Sequence, residues 1–450
     1  MSLRPAGRAR PLLAVAGLGL VLGAVVTRSE GLVALLLPAG AGVLGLMAAC
    51  RFLGREVDPA EQQRLLWWTI TAFLAHMTFG LIVSNVGTFA AYLGGDATTY
   101  HYYAVQILDH WTKGDPAPVL AAGKEGFYYL LAGLYRVFGT RMAAGIVVNA
   151  IAAAALVPLV SDTTRRAFGS KAARYVPALV VLLPGLFLWT SQLLKEAFVL
   201  LFIAIAANCA GRIVERVTVL PLVGLALAVA LLFSFRGWVA LMVLTGLLMG
   251  VTLGRQRLTA GIGTGAAMAA LVTLLVLGVG LGSSGYNRAV SANLEQANTV
   301  RLDLATSAES GYGGDADIST PGRALSYLPV GVVALAFGPF PWQVSGLRQL
   351  PALADVAVWW CLLPSLWRGS RAARRVLGRR WLILVLPAAT TSVLLALALG
   401  NFGTIVRERM QIVVLLVPLI AFGLAQRRQP DPAPADSGTR PVRAREAVAT

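Results

Sequence analysis

The sequence predicts an all-α polytopic integral membrane protein with about twelve transmembrane helices, interfacial helices in its first large outer loop and a re-entrant Pro-rich segment. Three observations carry this. Of the 450 residues, 57% are hydrophobic and only 13% charged, too few to clothe a soluble surface. Apolar runs of about 17–23 residues recur along the chain, the length that crosses a hydrocarbon core of about 30 Å. The basic residues also cluster beside those runs, at Arg4, Arg8 and Arg10, at Arg51 and Arg55, at Arg165, Arg166, Lys171 and Arg174, and from Arg368 to Arg380. That is the positive-inside signature of cytoplasmic connections, so the net charge of +17 implies no nucleic acid partner.

Threading the chain so that the Arg-rich connections fall inside gives spans at 11–27, 31–50, 66–86, 141–160, 175–191, 197–211, 218–234, 237–254, 259–281, 351–367, 381–400 and 410–425. Residues 1–425 form one transmembrane domain, with both termini cytoplasmic. The tail 426–450, rich in Pro, Ala, Arg and Asp, is expected to be disordered. The first apolar run lacks a small-residue cleavage site and reads as an uncleaved span.

The outer loop 87–140 is too long for a turn. After Asp96, ATTYHYYAVQILDHW places Tyr100, Ala104, Ile107, Leu108 and Trp111 on one helical face, as expected of a helix lying on the interface. EGFYYLLAGLYRVFG (125–139) is a second short helix. A further outer loop covers 282–323. The segment 324–343 contains YLPVGVVALAFGPFPWQ, whose Pro329, Pro339 and Pro341 favour a re-entrant element over a span.

Charges in apolar context are costly and mark candidate sites. Asp96, in LGGDATTYHYY, reads either as a helix N-cap or, with His101, as a general base or metal ligand; Tyr100 and Tyr103 are candidates to stack on a sugar ring. Lys195 and Glu196, in WTSQLLKEAFVLL, read as a snorkelling pair or an anion site. Arg236 lies in the turn between the spans 218–234 and 237–254. Arg407, Glu408 and Arg409 form the last outer connection, where positive charge needs a reason to stay. Guanidinium groups match phosphate bidentately, so Lys195, Arg236, Arg407 and Arg409 are expected to ring a phosphate-binding cavity with Asp96 at its edge. Asp315 and Asp317 form a D-x-D pair that reads as a solvated turn or a divalent-cation site; no other cofactor is indicated. Cys50, Cys209 and Cys361 have no metal spacing, and there is no P-loop, dinucleotide fingerprint or zinc motif.

The Asp after a span, followed by two interfacial helices, resembles the first outer loop of GT-C-type glycosyltransferases. WTSQLLKEA, YLPVGVVALAFGPFPW and GNFGTIVRERMQIVVLLVPLIAFGL are also similar to segments of polytopic proteins of bacterial surface-polysaccharide loci. The resemblance implies a bacterial cytoplasmic (inner) membrane enzyme. It would take sugar from a polyprenyl-phosphate-linked donor at the outer face and pass it to a glycan or lipid acceptor, with Asp96 as base. Two alternatives remain: a polymerase of lipid-linked repeat units, and a lipid-oligosaccharide transporter or flippase.

Overall fold

The computed structural model describes residues 32–427 except 56, 86–95, 308–309, 345 and 347–348. The span expected at 11–27 and the tail from 428 onward lie outside the described residues. Seventeen α-helices follow one another, with no strand pairing among the described residues beyond a single bridge between Gly311 and Asn401.

The first are α1 (Leu32–Leu53), α2 (Pro59–Asn85), α3 (Asp96–Lys113), α4 (Glu125–Phe138) and α5 (Met142–Phe168). Next come α6 (Ser170–Ala173), α7 (Val176–Leu182), α8 (Pro184–Thr190), α9 (Glu196–Glu215) and α10 (Val219–Gly254). The remainder are α11 (Leu258–Thr273), α12 (Ser283–Val290), α13 (Leu294–Thr306), α14 (Pro321–Phe337), α15 (Leu350–Leu377), α16 (Leu382–Ala398) and α17 (Phe402–Gln426).

Eight of the described helical stretches are long and apolar enough to cross a membrane, or nine if the pair 170–182 and 184–190, bent by 56°, counts as one broken span. The twelve spans of the sequence reading are thus not all reproduced as separate helices, because consecutive helices run together. Straight, the 36 residues of α10 would reach about 54 Å. Instead Gly224, near its start, packs on Cys209, and Arg255, just past its end, donates to the Ile213 carbonyl; both partners lie in the C-terminal part of α9. The midpoint, Arg236, pairs with Glu196 at the other end of α9. The chain therefore doubles back at Arg236, whose φ of −159° and ψ of 81° break the helix. In the same way α15 and α16, counted as one stretch of 49 residues, turn back at Gly378, whose φ is +55°.

Small residues set the close approaches. Gly369 and Gly423 let α15 and α17 touch main chain to main chain, and Gly246 admits Pro387 of α16 against α10. At the Arg-rich end, the buried Asp162 carboxylate holds Arg165 at 2.5 Å, Arg166 at 3.1 Å and Arg212 at 2.6 Å, and accepts from Asn208. At the opposite end α3 and α4 pack together through Tyr100, Phe127 and Tyr128. Over 324–343, α14 carries the chain as far as Phe337 despite Pro329. Tyr327 lies at Arg301, and the Gly338 carbonyl meets Arg409, two turns into α17, so this short helix stays near that same end.

Candidate functional site

Four separate chain segments deliver charge to one place opposite the Arg-rich end. Asp96 opens α3. Lys195 and Glu196 open α9, in a turn pinned by Asn149, whose amide donates to the Gln192 and Leu194 carbonyls. Gly80 has no side chain to keep the Ser191 main chain away, which lets this turn sink between α2 and α5. Arg236 occupies the break in α10, and Arg407 and Glu408 lie in the second turn of α17. Asn401 caps that helix by accepting from the Gly403 and Thr404 amides.

The charges form an alternating ladder. Arg407 donates to Asp96 at 2.6 Å and its Nε lies 3.4 Å from Glu196 Oε1. Arg236 reaches the same Glu196 oxygen at 2.9 Å and pairs with Glu408 on its other side. Glu196 is 4% exposed, so these pairs are poorly screened. Burial raises the cost of charge on Asp96, but the Arg407 guanidinium, with Lys124 and Lys195 nearby, holds the carboxyl below the ordinary carboxylate range.

The ladder borders a cavity of about 340 Å³. Lys124, Lys195 and Arg288 also line it, and none has a carboxylate within 4 Å among the described residues. Burial pushes the Lys124 ammonium below its usual range despite nearby Asp96. Five cationic side chains thus face two carboxylates, Asp96 and Glu408, in the wall. The lining also has an apolar part: Leu394, Leu395 and Ala398 of α16, with Val300 and Leu304 of α13. Gly123, Gly237 and Gly285 meet in the same lining, and a Cβ on Gly237 or Gly285 would strike main chain. The arrangement can hold an anionic group against Lys124, Lys195 and Arg288 while an apolar chain lies along α16.

Asp96, Tyr100, Lys195, Arg236 and Arg407 are brought together here, with Glu196 immediately behind. Tyr100 is buried and packs edge-on against Phe127, so its ring is already engaged. Tyr103 packs against Tyr128, and His101 bonds the Tyr135 hydroxyl at 2.9 Å; neither lines the cavity. Arg409, expected to ring the same cavity, is placed elsewhere and is not in its lining. It is buried on the opposite face of α17, donating to Asp355 at 2.8 Å and to the Gly338 carbonyl at 2.9 Å. Two residues along a helix rotate by about 200°, so Arg407 and Arg409 cannot share a site on one face. Asp317 is occupied by Arg323 and by the Ser319 amide, and no cluster of three potential metal ligands exists among the described residues. Lys124 and Arg288 escaped the sequence reading because each sits in a short polar connection or helix without an apolar run on both sides.

No family model and no curated protein matches the chain.

Proposed function

We propose that the chain is a membrane glycosyltransferase that takes its sugar from a polyprenyl-phosphate-linked donor in this cavity. The observation that carries the reading is the cavity's mixed lining: cations with no carboxylate within 4 Å among the described residues, together with apolar residues of one helix, Leu394, Leu395 and Ala398. A phosphate joined to a long apolar chain matches both kinds of lining at once.

Lys195, Lys124 and Arg288 meet the phosphate first in this reading, because Arg236 and Arg407 answer carboxylates until it arrives. They neutralise the leaving phosphate as the glycosidic bond to it breaks. Asp96 is a poor base while Arg407 grips it. Phosphate drawing Arg407 towards itself releases the carboxylate, whose basicity then rises to accept the proton of the acceptor hydroxyl. Donor binding and base activation are thereby one event.

The test is sugar transfer by purified protein in liposomes given a polyprenyl-phosphate sugar and an acceptor glycolipid, followed by mass spectrometry. Wild type should form product, Lys195→Met should raise the donor concentration needed, and Asp96→Asn should lower turnover. Absence of transfer from any polyprenyl-phosphate donor would refute the reading. The 56° break between α7 and α8 favours a transporter as second reading, since broken helices recur in transporters. Donor-lipid translocation without transfer would select it.

A further inference from the structure

The Arg-rich end of the bundle holds two adjoining cavities far from the site above. The larger, of about 520 Å³, is formed by Gly254 at the end of α10, Gln256 just past it, and Val376 to Arg380 from the end of α15 into the turn that follows. The smaller, of about 90 Å³, lies between α5, α9 and α16, with Arg166, Arg212, Glu215 and Leu384 in its wall. Leu377 and Arg380 line both.

The charge here is unbalanced. Arg165, Arg166 and Arg212 share the buried carboxylate of Asp162, and Arg166 also lies 3.8 Å from Glu215. Arg379 and Arg380 are exposed and have no carboxylate within 4 Å among the described residues. Gly378 adopts φ +55°, a left-handed turn that sets these two arginines at the mouth of the larger cavity. Beneath them the lining turns apolar, through Leu377, Ile383 and Leu384. A small inorganic anion would leave that apolar floor uncovered, whereas a phospholipid covers it with its glycerol and upper acyl chain.

We propose that this end binds a phospholipid carrying two phosphates, one in each cavity, bridged across Arg380. The two-phosphate headgroup follows from the division of the arginines. Arg379 serves the larger cavity, Arg166 and Arg212 serve the smaller, and Arg380 faces both. The proposal is independent of the reaction assigned to the opposite end.

The test is native mass spectrometry of the full chain in mild detergent, titrated with diphosphatidylglycerol, phosphatidylglycerol or inorganic phosphate. Wild type should retain one diphosphatidylglycerol per chain, more tightly than phosphatidylglycerol and without competition from millimolar phosphate. Arg379→Ala and Arg380→Ala should each weaken it about five-fold. Arg374→Ala, at an exposed position on α15 outside both cavities, should leave it unchanged. Equal weakening by Arg374→Ala would reduce the site to diffuse surface charge and overturn the proposal. So would equal affinity for phosphatidylglycerol, or displacement by phosphate. Thermal melting of each variant checks that the fold is retained.

Discussion

Replacing Arg409 with Met separates a structural arginine from a ligand-binding one. Arg409 and Asp355 are 2% and 1% exposed, and they join α17 to α15 while Asp355 also accepts from the Gly185 amide at 2.8 Å. Removing the guanidinium leaves a buried carboxylate with that one neutral donor, which costs about 3–5 kcal/mol. Asp355→Asn strands the guanidinium instead, against the Gly338 carbonyl. In the double variant Arg409→Met/Asp355→Asn neither charge remains, and the amide oxygen can still accept from Gly185. Its loss should therefore fall below the sum of the single losses by about 2 kcal/mol or more. Thermal unfolding in detergent, read by tryptophan fluorescence, gives the ranking: wild type, then the double variant, then Arg409→Met. The double variant should bind a short-chain polyprenyl phosphate as wild type does. If Arg409→Met melts like wild type yet loses the ligand, the reasoning fails and Arg409 returns to the site.

Other outcomes follow from the same geometry. Lys195→Met should weaken polyprenyl-phosphate binding with little change in melting temperature, because Lys195 is buried without a carboxylate within 4 Å among the described residues; calorimetric titration measures it. Asp162→Ala should destabilise by about 3–5 kcal/mol by leaving three arginines without their shared carboxylate, and adding Arg212→Met should recover part of the loss in a melting assay. Gly423→Val should cost about 1–3 kcal/mol or more by driving a side chain into the Ser365 carbonyl, with a lowered melting temperature and unchanged ligand affinity in the surviving fold.

Much of the scaffold is legible in the chain because length and apolarity are local properties. Of the run 66–86, residues 66–85 lie in α2, and of 141–160, residues 142–160 lie in α5. Arg236 marks a turn because a lone guanidinium is costly in the middle of an apolar crossing, and the helix does break there. Span counting is less legible: α15 and α16 run together through a turn of only a few residues, and Pro184 bends one stretch into two pieces. Pairing depends on contacts far apart in sequence, so Asp96 meeting Arg407, 311 positions away, has no local trace. Asp355 did carry a signal, being an acid inside an apolar run, where an unpaired charge is costly. The opposite faces of Arg407 and Arg409 were also readable from helical rotation alone.

The break at Arg236 has an electrical consequence beyond its side chain. The second arm of α10 begins at Gly237, and Gly237, Trp238 and Val239 line the cavity. α3 begins at Asp96, α9 at Glu196 and α17 at Phe402, so four helices aim their starting ends at this one place. Each starting end carries about half a positive charge from its aligned peptide dipoles. Asp96 and Glu196 are thus favoured at helix starts as well as by their arginines. The field that draws an anion inward is partly written in the backbone, where side-chain substitution cannot erase it. A variant with Lys124, Lys195 and Arg288 all neutralised should still prefer anions to cations.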